Sequence, residues 1–266
     1  MIDIHTHILP AVDDGAASIQ TALEMLKIAE ADGIHTIVAT PHTFSNISTY
    51  KSLEQLREKF LELKSAASQQ GLHIEILQGA ENFFDSRLAD YLRQNPEMLT
   101  INNSDYFLLE FPPDFIFPGT RQFIYNVMQD GYIPIICHVE RNRVFRQNPL
   151  LLYQFLEMGA LAQATAGSFR GDFGSDVRTT ALEFVKANMI HVIASDSHHS
   201  RYRQPQMSFV YEELKEAADT RHIDLLTTGI PSAIIKNEAV PDTGPMKDPS
   251  HRPSMFDFFI NLFQRQ

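Results

Sequence analysis

The sequence predicts an α/β fold, a TIM-like barrel built from seven βα units. Short runs with strand character alternate with helix-length segments over most of the chain, a pattern typical of parallel strands joined by helices. Seven strands are enough to close, or nearly close, a barrel. Because no second hydrophobic block follows them, the 266 residues are expected to form one large domain.

The seven predicted strands are short apolar runs that favour β structure. They lie at 2–8, 34–40, 73–81, 106–111, 132–140, 161–166 and 189–196. The first two intervening helices have clear boundary residues. Ser18 is a suitable N-cap for the first helix, and Gly33 and Gly71 end the first and the second.

Composition and charge limit the classes of function. With 44% hydrophobic residues, the chain can bury a large core. A formal net charge of −11 opposes binding to nucleic acid, which depends on Lys and Arg. Neither a secretory signal nor a run of about 18 apolar residues is recognised. The lone cysteine, Cys137, excludes an internal disulfide, and together these features predict a cytoplasmic protein.

The character of the sequence changes at about Val240. Residues 240–266 begin with a Pro-rich stretch and end in a Phe-rich segment, so the barrel domain is expected to cover 1–239. In a helix, one face of that segment would carry Met255, Phe256, Phe259, Leu262 and Phe263. Packing of this face on the barrel is the first expectation. Docking on a second copy of the chain, a partner or a membrane surface is the alternative.

The strongest signal for function is the pair His5 and His7 in the first predicted strand. Residues two apart in a strand point to the same face, so both imidazoles enter one space. Further potential metal ligands end the later strands: His42, Glu81, Glu110, His138, Asp196 and His198. The carboxyl ends of parallel strands meet at one mouth of a barrel, where active sites lie. Isolated structural histidines and solvated acids explain this whole set poorly.

An acidic turn, Asp13-Asp14-Gly15, lies in the loop after the first strand. Alone it would be interpreted as a turn before the helix that Ser18 caps. The loop leaves the same mouth, however, so one of its carboxylates can reach a metal. Mixed His and carboxylate ligands suit Zn, Mn or Fe, and carboxylate-rich sites favour Mn and Mg. The sequence therefore predicts a divalent-metal site.

Several motifs resemble those of the PHP (polymerase and histidinol phosphatase) superfamily. They are IDIHTHILPAVDDG, TPHTF, GAE, LLEF, CHVER and IASDSHHS, and the resemblance runs from Met1 to about Asn237. Within the superfamily the chain is most similar to the bacterial manganese-dependent protein-tyrosine phosphatases that accompany the tyrosine kinases of capsular and exopolysaccharide systems. Glu110 stands where histidinol-phosphate phosphatases more often have a histidine, which favours the tyrosine-phosphatase branch.

The resemblance implies a distorted (β/α)7 TIM-like barrel that holds three divalent metal ions, preferably Mn, with Zn, Fe or Mg as alternatives. It assigns His5, His7, Glu81 and Asp196 to the first ion, Glu81, Glu110 and His138 to the second, and Asp14, His42 and His198 to the third. Arg141 and Arg203 correspond to positions proposed to bind phosphate. The implied reaction is attack by a metal-activated hydroxide on phosphotyrosine of a protein, such as the tail of a bacterial tyrosine kinase.

Other functions remain open at this point. Histidinol phosphate or another small phosphomonoester could be the substrate of the same site. A metal-dependent amidohydrolase also begins with two histidines on its first strand, but no lysine ends a predicted strand here to bridge two metals. An inactive binding module is a third alternative, although all nine candidate ligands are present.

One further motif, typical of a different class of phosphatase, is rejected from the sequence. Cys137 and Arg143 have the spacing of cysteine-dependent tyrosine phosphatases. The residues between them contain no glycine, and Glu140 would repel a phosphate in such a loop. Cys137 is therefore expected to be a small buried strand residue.

Overall fold

The computed structural model describes residues 1–50 and 52–249, which form an α/β fold with a curled parallel sheet. The strands in these residues are β1 (Ile2–Thr6), β2 (Thr36–Ala39), β3 (His42–Thr43), β4 (Glu75–Gln78), β5 (Glu81–Phe83), β6 (Tyr106–Glu110), β7 (Ile133–Ile136), β8 (Leu161–Thr165) and β9 (Val192–Ala194). Each of the seven predicted runs contains one of these strands.

The helices lie between and after the strands. They are α1 (Ile19–Ala31), α2 (Leu53–Gln69), α3 (Leu88–Gln94), α4 (Pro96–Leu99), α5 (Thr120–Gln129), α6 (Arg143–Gln147), α7 (Pro149–Glu157), α8 (Ala166–Arg170), α9 (Ser175–Lys186), α10 (Val210–Glu213), α11 (Thr220–Asp224) and α12 (Ile230–Ile235). A 3₁₀ turn at Ile101–Asn103 and a π-helical turn at Leu225–Gly229 complete the helical segments of the described residues.

The strands pair in the orders β1-β2-β4 and β3-β5-β6-β7-β8-β9, and all of these pairs are parallel. The end of β1 meets the segment after β9, where Thr6 and Ser197 form a parallel bridge. The N–H of Asp196 donates to the carbonyl of His5 at 2.9 Å, and the N–H of His7 donates to that of Ser197 at 2.8 Å. This curled sheet is consistent with a distorted TIM-like fold.

The sequence pattern does not separate β3 from β2 or β5 from β4. Pro41 has no N–H to donate, which accounts for the break between β2 and β3. Hydrogen bonds nevertheless continue across both breaks, because Gly79 donates to the carbonyl of Ala39 and Glu81 to that of Pro41, each at 3.0 Å. The two breaks therefore bend the sheet without opening it.

The first two helices have the predicted boundaries. The Ser18 hydroxyl accepts the N–H of Thr21 at 3.2 Å and caps α1, and Gly33 follows the helix with φ of +85°. Gly71, with φ of +69°, follows α2 in the same way. The buried faces of these helices carry Ala22, Leu23, Met25, Leu26 and Ala29 in α1, and Leu56, Phe60, Leu63 and Ala67 in α2.

The strands carry the core on both of their faces. Ile4, Phe107, Ile135 and Ile193, from four different strands, are fully buried, as expected for a parallel sheet covered by helices. Each such side chain stabilises the fold by about 1.5–3 kcal/mol relative to leaving it exposed. This apolar sheet supports the polar residues at its carboxyl ends.

The Pro-rich stretch lies against the barrel as far as it is described. The side-chain amide of Asn188 donates to the carbonyls of Thr243 and Gly244 at 2.6 and 2.8 Å, and the N–H of Lys247 donates to that of Ala187 at 2.9 Å. The Phe-rich face predicted for 255–263 lies outside the described residues. Within the described ranges, no helix combines the length and apolarity needed to cross a membrane.

Candidate metal centre

The nine predicted ligands meet at the carboxyl ends of the strands. They are His5, His7, Asp14, His42, Glu81, Glu110, His138, Asp196 and His198, and each has a side-chain nitrogen or oxygen within 3.7 Å of another member. His5 lies within β1, His42 and Glu81 begin β3 and β5, and Glu110 ends β6. The other five ligands lie in the segments that follow β1, β7 and β9. Residues up to 193 positions apart in the chain are thus brought into one cluster.

The first group surrounds one point. The Nε2 atoms of His5 and His7 are 3.3 Å apart, and they lie 3.2 and 3.3 Å from Oε2 of Glu81. Oδ1 of Asp196 lies 3.7 and 3.5 Å from the same two nitrogens. A tetrahedral shell with metal–ligand distances of about 2.1 Å has ligands about 3.4 Å apart. His5, His7 and Glu81 therefore have the spacing of three corners of a metal shell, and Asp196 lies beside both histidines.

The outer nitrogens of the two histidines show why a cation suits this point. Nδ1 of His5 lies 3.1 Å from Oε1 of Gln163, and Nδ1 of His7 lies 3.0 Å from Oδ2 of Asp13. Both acceptors take the Nδ1 proton, so Nε2 is the nitrogen of each ring that faces the shared point. The two Nε2 atoms are 3.3 Å apart, and a cation that displaced their protons would be bound by both.

A second group lies towards solvent. Oδ1 of Asp14 is 3.5 Å from Nε2 of His42 and 3.4 Å from Nε2 of His198. The side chain of Asp14 is 45% exposed, whereas both imidazoles are buried. This group matches the set that the sequence resemblance assigns to a third ion, and it is open to the solvent side of the centre.

The remaining group is arranged less simply. Nε2 of His138 lies 2.9 Å from Oε1 of Glu81, as the resemblance implies. Oε2 of Glu110, however, lies 3.3 Å from Nδ1 of His42, which is also 3.0 Å from Glu81. This buried Nδ1 has no hydrogen bond of acceptable geometry. An unsatisfied nitrogen between two carboxylates is the kind of position that a metal ion satisfies.

The charges of the cluster also favour a cation. Burial opposes ionisation of Glu81, but the neighbouring His5 and His42 hold its pKa well below its ordinary value. Burial lowers the pKa of His42, yet the nearby Glu81 and Glu110 raise it to about 10. The hydrogen bond from His198 lowers the pKa of Asp14 to about 2. The ionised carboxylates thus attract positive charge, and the residues present suit a divalent metal.

The two predicted arginines border the same centre. Both Arg141 and Arg203 pair with Oδ2 of Asp196, Arg203 at 2.7 Å, and Arg203 also donates to the Asp196 carbonyl at 3.1 Å. Their guanidinium carbons lie 4.4 and 5.9 Å from the ring centroid of Phe173. With side chains 27% and 30% exposed, both reach the surface of the site.

Three contributors are not among the nine predicted ligands and two arginines. Asp13 belongs to the acidic turn from which one carboxylate is expected to reach a metal, but the resemblance assigns Asp14, and the Asp13 carboxylate instead accepts the N–H of His42 at 3.1 Å. Gln163 carries a polar amide within a mostly apolar strand, a signal that could have revealed it. Nothing in the sequence pattern marks Phe173, because its contacts with both arginines arise only in the folded chain.

The backbone is strained at several of these positions. His138, Asp196 and Arg203 have φ angles of 37°, 51° and 46°, in the left-handed region that non-glycine residues rarely adopt. Such conformations cost about 1–3 kcal/mol each and persist where the surroundings impose them. Here the strain aims the side chains at the centre.

Cys137 has the properties of a structural residue. Its side chain is buried, and burial together with the Glu81 and Glu110 charges raises the pKa of the thiol well above its ordinary value. A nucleophilic cysteine needs the opposite shift. The structure thus agrees with the rejection of the cysteine-dependent motif.

Comparisons with known proteins point in the same direction. The sequence matches the family "Capsular polysaccharide synthesis, CpsB/CapC" over residues 1–236. It is 35% identical over 260 residues to the tyrosine-protein phosphatase YwqE of Bacillus subtilis (strain 168), which covers 97% of this chain and 100% of that protein.

Solved structures of other proteins have a similar fold. A crystal structure from a study of YwqE and of CpsB from Streptococcus pneumoniae, described as metal-dependent tyrosine phosphatases, matches with a TM-score of 0.86 at 35% identity and covers 95% of this chain and 100% of its own. Histidinol phosphate phosphatase of Lactococcus lactis matches with a TM-score of 0.52 at 14% identity over 81% of this chain and 94% of its own, which is a likeness of fold alone. The resemblance seen in the motifs is confirmed, and the chain belongs to the CpsB/CapC family of capsular polysaccharide synthesis.

Proposed function

We propose that this protein is a metal-dependent protein-tyrosine phosphatase of capsular polysaccharide synthesis. The observation that carries the proposal is the meeting of nine candidate ligands in one cluster, with two arginines paired to one of its carboxylates. Relatives that span nearly the whole chain are named tyrosine-protein phosphatases, and the similar solved structure is described as metal-dependent.

The ligand groups support three divalent ions. His5, His7, Glu81 and Asp196 would hold the first, Glu81, Glu110 and His138 the second, and Asp14, His42 and His198 the third. The mixture of imidazole and carboxylate favours Mn. When bound, such ions supply a water of lowered pKa as nucleophile and neutralise charge on the phosphoryl oxygens.

The chain's own residues bind and orient the phosphate. Arg141 and Arg203 are always charged, and a planar guanidinium suits bidentate contact with phosphate oxygens. Asp196 and the ring of Phe173 hold both guanidinium groups at the border of the centre. Their charge offsets the repulsion between a phosphate dianion and the four carboxylates, and so places the reacting phosphorus beside the ligand cluster.

The substrate that we assign is phosphotyrosine on a protein of the capsule system, such as the tail of its tyrosine kinase. Support comes from the description of the matched family and from the names of the relatives. The alternatives of small-molecule phosphatase, amidohydrolase and inactive module gain no particular support from the geometry or from the relatives.

The catalytic unit that we infer is a (β/α)7 barrel of residues 1–239. The count of seven treats β2 with β3, and β4 with β5, as single bent strands, which the hydrogen bonds across both breaks support. The end of the family match at residue 236 supports the domain limit. Residues 240–266 form an appendage, and a docking role for its Phe-rich end stays a prediction.

One set of assays tests the proposed function. Rates are compared on a phosphotyrosine peptide, the matching phosphoserine peptide and histidinol phosphate, before and after EDTA and Mn. We expect the phosphotyrosine peptide to react fastest, EDTA to abolish activity and Mn to restore it. His7→Ala and Glu81→Ala should be inactive because each removes a ligand of the first ion, and Glu81 is also assigned to the second.

The outcomes separate the competing mechanisms. Cys137→Ser should keep nearly full activity, since the buried thiol takes no part in the metal-dependent reaction. An inactive serine variant beside an EDTA-resistant wild-type protein would establish a thiolate mechanism instead. A higher kcat/KM on histidinol phosphate than on the phosphotyrosine peptide would move the protein to the small-molecule branch.

A further inference from the structure

A cavity of about 120 Å³ opens beside the metal centre, between the loops that follow β6 and β7. Its polar wall is formed by Glu110, His138, Arg141 and Asn142, and its less polar wall by Phe111, Pro113, Cys137 and Phe145. The same space therefore touches two candidate ligands, one arginine proposed to bind phosphate, and three apolar side chains beside the Cys137 thiol. Only the polar half of this lining is explained by metal and phosphate binding.

The apolar wall is fixed in place by hydrogen bonds between the two loops. The side-chain amide of Asn142 donates to the carbonyl of Pro112 at 2.8 Å, and the N–H of Arg143 donates to that of Pro113 at 2.6 Å. Oδ1 of Asn142 also accepts the N–H groups at the start of α6, including that of Phe145 at 3.2 Å. These hydrogen bonds hold the two loops, and with them the apolar wall, in a defined position before a ligand binds.

We propose that this cavity holds the tyrosine ring of the substrate and that Phe111, Pro113 and Phe145 determine specificity for aryl phosphates. The inference rests on the proposed function and assigns its substrate pocket. With the phosphate beside Arg141, the aryl group bonded to that phosphate can extend along the apolar wall. A serine or threonine side chain has no ring to place against this wall.

Size and shape support the ring as occupant. An apolar cavity of about 150 Å³ is sufficient to bind benzene in an engineered protein, which is comparable with the cavity here. The rings of Phe111 and Phe145 are 6.5 Å apart and nearly perpendicular. Aromatic rings prefer such edge-to-face contacts, so a third ring between these walls and Pro113 would continue the arrangement.

A larger groove of about 630 Å³ provides the comparison. It is lined by Phe84, Phe117 and Phe123 among others, but by none of the nine candidate ligands and by neither arginine. A ring bound there would not have its phosphate at the metal centre. Phe123 belongs to this groove and is 8% exposed, so it supplies a matched control for aromatic substitutions.

The test measures substrate preference rather than total activity. The Mn-loaded wild-type protein and the variants Phe145→Leu, Pro113→Ala and Phe123→Leu are assayed on phenyl phosphate and on the larger 2-naphthyl phosphate. Removing part of the wall should raise the 2-naphthyl-to-phenyl ratio of kcat/KM by about tenfold in Phe145→Leu, and by less in Pro113→Ala. The ratio in Phe123→Leu should equal that of the wild type.

The ratio separates this inference from failure of folding or of the proposed function. A folding or metal-binding defect lowers both rates and leaves their ratio unchanged. If neither pocket variant changed the ratio by more than about twofold, the pocket would not contact the aryl group and the inference would be wrong. If the Mn-loaded wild type hydrolysed neither aryl phosphate, the proposed function itself would fail.

Discussion

Each imidazole of the first ligand group is oriented by an acceptor on its outer nitrogen. Gln163 does this for His5 at 3.1 Å, and the same oxygen accepts the backbone N–H of His138 at 3.0 Å. One side chain on β8 thus positions candidate ligands within β1 and after β7. Acceptors of this kind usually change metal affinity when they are removed.

Replacing Gln163 by leucine should weaken metal binding. Gln163→Leu removes the acceptor for His5 and leaves the N–H of His138 without its partner, so we expect Mn affinity to fall about 10- to 100-fold. Gln163→Glu keeps the acceptor oxygen and should retain most of the affinity. Titration of the metal-free proteins with Mn measures the effect directly, and equal affinities for the leucine variant and the wild type would contradict the role.

At the scale of elements, the loop after β1 shows how a short segment can deliver two carboxylates. The N–H of Ala16 donates to the carbonyl of His7 at 2.9 Å, and the N–H of Gly15 donates to Oδ1 of Asp13 at 2.9 Å. A Cβ built on Gly15 would collide with the backbone carbonyl and Cβ of His7. The absence of a side chain at Gly15 therefore lets the loop fold back onto β1.

Gly15→Ala should move this loop, with its two carboxylates, away from the metal centre. The added methyl group forces the loop away from His7 and displaces Asp13 and Asp14, so phosphatase activity should fall by at least about 100-fold. Gly33→Ala is the control, since Gly33 has positive φ but open space around it. It should cost about 1 kcal/mol of stability with activity retained. Equal activity of the two variants would show that the loop tolerates displacement.

The opposite edge of the sheet contains a pH-dependent contact. Nδ1 of His191, just before β9, accepts the N–H of Ala162 at 3.2 Å. Burial lowers the pKa of His191 to about 4. Because the folded-state pKa lies below the unfolded value of about 6.5, this residue contributes stability above pH 6.5 that is lost as the pH falls towards 4.

Replacing His191 should reduce the loss of stability in acid. Between pH 7 and pH 5 the free energy of unfolding of the wild type should fall by up to about 2 kcal/mol more than that of His191→Gln. Urea unfolding in the presence of EDTA measures this difference without a contribution from metal release. If both proteins lost the same free energy, burial of His191 would not control this part of the pH dependence.

On the scale of the whole molecule, the sequence predicts the ligand cluster because parallel strands bring their carboxyl ends together. His42, Glu81 and Asp196 could be placed without knowing any side-chain contact, since each ends or follows a strand. The arrangement of Phe111 and Phe145 could not be, because it depends on how the loops after β6 and β7 pack. The resemblance groups Glu110 with His138, whereas the structure places it beside His42, and this difference also depends on side-chain packing.

The concentration of charge at one end of the barrel should couple metal binding to global stability. Glu81 and Asp196 are buried, and their charges are balanced by neighbouring histidines and arginines. A metal present at about 100 times its dissociation constant stabilises the folded state by about 2.7 kcal/mol. For a protein of this size that corresponds to an increase in Tm of about 5–10 °C.

Differential scanning calorimetry of EDTA-treated protein with increasing Mn measures this increase. Glu81→Gln should abolish most of it, because Glu81 is the carboxylate that contacts His5, His7, His42 and His138. Glu62→Gln, at a carboxylate that is 47% exposed and remote from the centre, should retain it. A Tm that did not depend on Mn in the wild type would mean that the cluster is stable without a cation, and that its carboxylates are balanced by imidazolium and guanidinium charge alone.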